Sequence, residues 1–259
     1  VWPETHFALG IPYTVYDVMR GLAVGASLLL CIFLNRRKGI PVKKTLLIAA
    51  VCVPVSIGTA RLLNAVEYGA RWSNLNAEFL RNSGSSIYGA LLACMATVVA
   101  MARLLGIPVW RILDTGAPAI AVGEGVSRVG CFAAGCCYGK PWNGPWAVVF
   151  PANSFTAIDQ RYRGILDSST SHSLAVHPVQ LYGVLLMALL TAFLIRQILR
   201  PHRDGVVFFW LLIGYGAYRL ATALFREEVL CSMVLFSTIF IVAGVLGLFW
   251  AKRPIASLW

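Results

Sequence analysis

Apolar residues fill long stretches of this chain, and polar ones are confined to the gaps between them. Seven apolar runs stand out, at about residues 15–35, 45–66, 86–105, 112–134, 178–199, 205–225 and 231–250. A helix rises about 1.5 Å per residue, so roughly 20 apolar residues cross the hydrocarbon of a bilayer, and each run is close to that length. The pattern predicts an all-α integral membrane protein of about seven transmembrane helices, with residues 1–259 as a single transmembrane domain. No internal repeat is visible.

The gaps differ in kind. Those after the first and fifth runs are short and basic, RRKGIPVKK and RPHRD. By contrast, residues 138–177 hold two tryptophans, Trp142 and Trp146, three prolines and the run DSSTSHS. That is more than a tether, and it is read as a small periplasmic head region with its aromatics at headgroup level. Residues 67–86 form a second periplasmic segment, whose WSNLNAEFL reads as a short amphipathic helix.

Composition sharpens this picture. The 259 residues are 58% hydrophobic and 13% charged, where soluble domains carry about a quarter. The net charge of +11 would suggest nucleic acid in a soluble protein, but no basic block with interleaved aromatics exists here, so no nucleic acid partner is expected. Instead the cations sort by side. Arg36, Arg37, Lys38, Lys43, Lys44, Arg103, Arg111, Arg196, Arg200, Arg203, Lys252 and Arg253 adjoin one set of gaps, and Arg71, Arg81, Lys140, Arg161, Arg163 and Arg226 the other. The richer set marks the cytoplasmic side, placing the N-terminus outside and the C-terminus inside. Residues 1–14 carry no n-region charge and no small-residue cleavage site, so the first run is read as an uncleaved signal anchor.

Four cations remain within the runs: Arg20, Arg61, Arg128 and Arg219. An arginine at the bilayer centre costs about 2.5–3.5 kcal/mol on insertion scales, so each needs a partner or water. Arg226 lies seven residues after Arg219, on roughly the same helix face. Two readings stay open. In the structural one, Arg219 pairs with Glu124 or caps carbonyls and Arg226 snorkels. In the functional one, the guanidiniums form an anion site, since their forked donors match phosphate oxygens and keep their charge on burial. At the outer leaflet the abundant phosphate is a lipid headgroup.

The stretch SRVGCFAAGCCYGKP surrounds Arg128 with small residues. Gly123, Gly125, Gly130, Gly135 and Gly139 allow close helix packing or let backbone approach an anion. Cys31, Cys52 and Cys94 read as small core residues. Cys131, Cys136, Cys137 and Cys231 lie near outer ends, where an oxidising compartment would permit a disulfide. The spacings of five and one among Cys131, Cys136 and Cys137 do not match paired C-x2-C ligands, so no metal and no cofactor is assigned. His177 opens HPVQLY at a helix start; Gln180 faces the same side one turn later, and Tyr182 is placed elsewhere on the helix.

In order and spacing SIYGALLA, SRVGCFAAGCCYGKP, WAVVFP, HPVQLY and YGAYRLATALFREE resemble the prolipoprotein diacylglyceryl transferase family, in a divergent GCCYGKP-type branch. The resemblance implies a bacterial inner membrane transferase that moves the diacylglyceryl group of phosphatidylglycerol to the lipobox cysteine of a prolipoprotein signal peptide, releasing glycerol 1-phosphate. It implies a lipid site entered sideways from the bilayer, with a second opening for the peptide. Arg128 matches the signature arginine, Gly139 the signature glycine, Arg226 the sixth-span arginine, Tyr16 the first-span tyrosine and Arg61 the second-span arginine.

There are departures. Tyr88 stands where better-known members have histidine, Cys131 and Ala134 where they have asparagine, and Cys136 and Gly183 where they have glutamate. The expected catalytic set is Arg128, Arg226, Tyr88 and His177. Tyr16, Arg61, Glu124, Gly130, Cys131, Gly139, Gln180 and Arg219 are expected to bind substrate. Tyr88, His177 and Glu124 are the candidate bases. Two other activities fit these residues: the same donor with a glycan or small-thiol acceptor, and noncatalytic phospholipid binding.

Overall fold

The computed structural model describes residues 6–8, 11–67, 87–167, 169–226 and 231–252. Among them are eight helices: α1 Val15–Arg37, α2 Val42–Glu67, α3 Ile87–Leu104, α4 Val109–Ala134, α5 Phe155–Tyr162, α6 Val179–Ile198, α7 Val206–Ala223 and α8 Cys231–Lys252. A short antiparallel hairpin, β1 His6–Ala8 with β2 Ile11–Tyr13, precedes them. The stretch WSNLNAEFL and the side chain of Tyr88 lie outside the described residues.

The architecture is helical, as the apolar runs predict. Five helices, α1, α2, α6, α7 and α8, are long and apolar enough to cross a membrane. The apolar part of α3, Gly89–Leu104, is shorter. Although α4 is long enough, it contains Arg111, Asp114, Glu124, Arg128 and an internal Pro118. Two of these residues, Glu124 and Arg128, pair with each other. Large apolar side chains such as Leu29, Leu185, Leu246 and Phe249 point outward, a surface that hydrocarbon accommodates and water does not.

The chain divides into two compact units, one of residues 31–115 and one of residues 1–30 with 116–259. In the first, Ile40, Ile48, Ala102, Ile107 and Ile112 form the core. Asn35 is fully buried and satisfied, donating to Thr45 Oγ1 at 3.0 Å and accepting from Thr115 Oγ1. Lys44 donates to the Leu105 carbonyl at 2.6 Å, placing a cation on the carbonyl end of α3, where the helix dipole favours it. At the junction of α2 and α3, Gly89 lies against Leu63.

In the second unit, Thr14 and Asp17 close the start of α1 reciprocally. Thr14 N donates to Asp17 Oδ2 at 3.0 Å, and Asp17 N to Thr14 Oγ1 at 3.3 Å, satisfying amides that the helix itself leaves free. Residues 135–178 fold back on the end of α4. Phe150 is fully buried and meets Phe132 edge-on at 5.7 Å, while Ser154 caps α5 by accepting from Ala157 N. Bridges join Val148 to Val176 and Pro151 to His172.

The helix pair α7 and α8 is packed backbone to backbone. A Cβ on Gly216 would come within 2.6 Å of the Ser237 carbonyl oxygen, and one on Gly244 within 2.6 Å of Ile213 Cγ1. Close approach of this kind is the usual basis of helix association in lipid. Gly216→Leu and Gly244→Leu are each expected to destabilise the protein by about 1–3 kcal/mol, read as a lower melting temperature in detergent micelles. Gly21→Ala, where the space is open, should leave it unchanged or slightly raised.

Candidate active site

The site starts on α4, where Glu124 and Arg128 are one helical turn apart. Residues four apart face each other on a helix, and here both the Nε and Nη2 of Arg128 donate to Glu124 Oε1, the Nε at 3.0 Å. The two side chains are only 10% and 8% exposed. From α7, Tyr218 brings its hydroxyl to 3.5 Å from the same carboxylate oxygen. The carboxylate thus collects donors from two helices. On α6, Gly183 makes room for this: a Cβ there would lie 3.2 Å from Arg128 Cγ and 3.1 Å from Tyr218 Oη. Tyr215 and Arg219 are buried beside the group. The Tyr215 hydroxyl has no hydrogen-bond partner among the described residues.

Of the partners left open for Glu124, Arg128 holds it directly: from the same helix, four residues on, its guanidinium reaches the carboxylate with two N–H groups at once.

A turn follows α4. Gly135 and Cys137 both have positive φ, 68° and 58°, and Cys137 is the one non-glycine residue so placed among the described residues. Gln180 Nε2 donates to the Cys136 carbonyl at 2.7 Å. The chain then runs through a slot at Gly139, whose amide donates to the His177 carbonyl at 3.0 Å while Lys140 N donates to the Phe225 carbonyl at 2.8 Å. Gly139 is bridged to Arg226. A Cβ at 139 would sit 2.6 Å from His177 Cβ, from the Phe225 oxygen and from Val179 Cγ2. No side chain fits there. This slot ties the start of α6 to the end of α7.

Arg128 and Arg226 both lie within electrostatic reach of Cys137, and the turn leads from the helix that carries Arg128 to Gly139, which is bridged to Arg226. Arg226 is partly buried, and its Nε has no hydrogen-bond partner among the described residues. From α1, Tyr16 joins the same group: its ring packs against Gly130, with 3.3 Å from Tyr16 Cδ2 to a Cβ built there, and Cys131, Cys136 and Cys137 lie within its electrostatic reach. Arg20 lies 5.6 Å from the Tyr16 ring centroid, an in-helix cation on an aromatic face. All seven cysteines are free thiols in this structure.

His177 has a different setting. Its ring stacks on Trp142 at 4.3 Å and 9°, meets Phe225 edge-on at 5.1 Å, and holds Nδ1 at 3.1 Å from the Tyr182 hydroxyl. Tyr182 also accepts from Trp146 Nε1 at 3.0 Å. The sequence reading placed Tyr182 away from His177. It reaches back because His177 precedes α6, so helical spacing does not govern the pair. Burial, and then the nearby Lys140 ammonium, lower the His177 pKa below its ordinary 6.5, and the ring is held neutral at pH 7.

Of the expected residues, Tyr16, Glu124, Arg128, Gly130, Cys131, Gly139, Gln180, Arg219 and Arg226 fall in one unit, with His177 joined to them through Gly139. Arg61 lies on α2 in the other unit, partly exposed. Tyr215, Tyr218 and Tyr182 were not foreseen. The first two are three apart on α7, and that spacing puts them on one face; it was the available signal.

The family model described as prolipoprotein diacylglyceryl transferase matches residues 4–250. The chain belongs to the prolipoprotein diacylglyceryl transferase family. Among relatives bearing the name "Phosphatidylglycerol--prolipoprotein diacylglyceryl transferase", one from Synechococcus elongatus is 32% identical over 247 residues, covering 89% of this chain and 82% of that protein. One from Clostridium tetani is 32% identical over 155 residues, 59% of this chain and 57% of the relative. One from Dehalococcoides mccartyi is 27% identical over 215 residues, 82% and 76%. In this member of the prolipoprotein diacylglyceryl transferase family, the GCCYGKP block supplies the turn that leads from the end of α4 to the bridge with Arg226.

Removing one partner of a buried ion pair strands the other, at about 3–5 kcal/mol, whereas removing both costs far less. Glu124→Leu and Arg128→Met should each lower the melting temperature sharply. The double variant is expected to be more stable than the two single losses would sum to, by at least about 1 kcal/mol in a double-mutant cycle; additive losses would mean the pair is not formed.

Proposed function

We propose that this protein moves the diacylglyceryl group of phosphatidylglycerol onto the lipobox cysteine thiol of a prolipoprotein, releasing glycerol 1-phosphate. The reading is supported by one observation above the rest: two arginines, Arg128 and Arg226, lie within electrostatic reach of one turn, in a chain related over most of its length to proteins named for that donor and acceptor. In the proposal the protein sits in the bacterial cytoplasmic membrane and crosses it seven times, with the N-terminus outside. Residues 138–177 form the outer head beside the headgroup layer.

The chemistry is a displacement at the glyceryl carbon that bears the phosphate. The acceptor sulfur forms a C–S bond, the C–O bond breaks, and the electron pair leaves on the phosphate oxygen. A phosphodiester monoanion thereby becomes a phosphomonoester with additional negative charge. Cations fixed at that oxygen favour the transition state over the ground state. Arg226 and the edge of Arg128 turned away from Glu124 supply them. Glu124 offsets the Arg128 charge in the resting protein, so the guanidinium stays in place before lipid arrives.

The acceptor thiol must lose its proton. Glu124 Oε1 is already taken up by Arg128 and Tyr218, and the neutral His177 imidazole serves as the base. The Tyr182 hydroxyl against Nδ1 orients the ring.

Arg128→Ala is expected to abolish transfer while leaving the protein inserted, measured as glycerol phosphate release and mass increase of a lipobox peptide incubated with phosphatidylglycerol. Full turnover in that variant would defeat the proposal. Phosphatidylglycerol binding without turnover would identify a noncatalytic lipid-binding protein, and turnover only with a glycan or small thiol a different acceptor. The acid limb of the pH–rate profile should fall below pH 6.5, the ordinary histidine value, because the depressed pKa keeps the base unprotonated to lower pH. A limb at or above 6.5 would exclude His177 as the base.

A further inference from the structure

The spacing of Cys131, Cys136 and Cys137 gives no metal signature, yet the fold brings them together. Their three Sγ atoms lie within 4.8 Å of one another. Cys131 ends the last turn of α4, where the Cys136 amide donates to its carbonyl at 3.0 Å. The positive φ at Gly135 and at Cys137 then folds the chain back, so that two consecutive side chains reach the same point. An L-residue adopts such a backbone at a cost, and here the result is a thiol triangle. Gln180, 1% exposed, holds the Cys136 carbonyl.

We propose that Cys131, Cys136 and Cys137 form a binding site for one soft, closed-shell cation, zinc(II) or copper(I). Metal–thiolate bonds of about 2.3 Å require sulfurs about 3.8–4.0 Å apart, so side-chain adjustments of less than an ångström close the site. Three thiolates select soft cations. Charge balance favours them too. Three thiolates around zinc leave one negative charge and around copper(I) two, and Arg128 and Arg226 both lie within reach of Cys137 to face it. A disulfide would use two of the sulfurs and leave the third without a role. The cation clips the end of α4 to the turn that leads into the Gly139 slot, and the Gln180 bond orients that turn from behind.

The test uses the full chain in detergent micelles, reduced and stripped with a chelator. Zinc alone, and in a separate anaerobic arm copper(I) alone, is titrated against a chromophoric competitor. One equivalent should bind, with three sulfur neighbours at about 2.3 Å in X-ray absorption. Metal analysis of protein isolated from cells then tells which of the two is resident. Cys131→Ser and Cys137→Ser should each weaken binding at least 100-fold, while the exposed Cys231→Ser and the α2 variant Cys52→Ser leave it unchanged. The proposal is overturned by fewer than three sulfur ligands in the wild type, by undiminished binding in the Cys131→Ser and Cys137→Ser variants, or by a disulfide among the three in protein isolated without reductant. Stoichiometry and sulfur count come from the wild type, so they decide the matter even where a variant fails to fold.

Discussion

A guanidinium in a low-dielectric interior must be neutralised, hydrated or held against an anion, and the second compact unit is arranged around that requirement at Arg128. The carboxylate that answers it comes from the preceding turn of the same helix, and a phenol from α7 shares the oxygen. Because the pair is preassembled, the guanidinium is held in place without a further anion. Gly183 lies close against the Arg128 side chain, and α4 gives up the apolarity of an ordinary membrane helix.

The second organising constraint is steric. Gly139 is surrounded at van der Waals contact by two side chains and a carbonyl from α6, α7 and their approaches. Its amide and that of Lys140 bond in opposite directions, one to His177 and one to Phe225. These two bonds tie the backbone at His177 to the backbone at Phe225, next to Arg226. The aromatic side chains Trp142, Tyr182 and Phe225 then fix the ring plane.

How much of this was legible in the sequence depended on whether the signal was periodic. The apolar runs located the helices because hydrophobic burial acts residue by residue along a segment. The buried arginines could be singled out because their desolvation is costly wherever they fall. The choice of partner was harder. Glu124 is four residues before Arg128, a local reach that apolar patterning does not rank against a partner on another helix. Tyr182 was misplaced because its partner sits before the helix begins, where a helical wheel has no authority. The thiol triangle rests on a left-handed conformation at Cys137, and nothing in a cysteine announces positive φ. The residues that matched the family's motifs were found from the motifs. Tyr215 and Tyr218 emerged only from packing.

One contact has an optical consequence. Trp142 lies face to face with the His177 ring, 4.3 Å away and nearly parallel. Imidazolium quenches an indole in van der Waals contact far more than neutral imidazole does, so the emission of Trp142 reports the charge on that ring. The protein therefore contains an intrinsic probe of that ring, readable once the emission of its other seven tryptophans is removed.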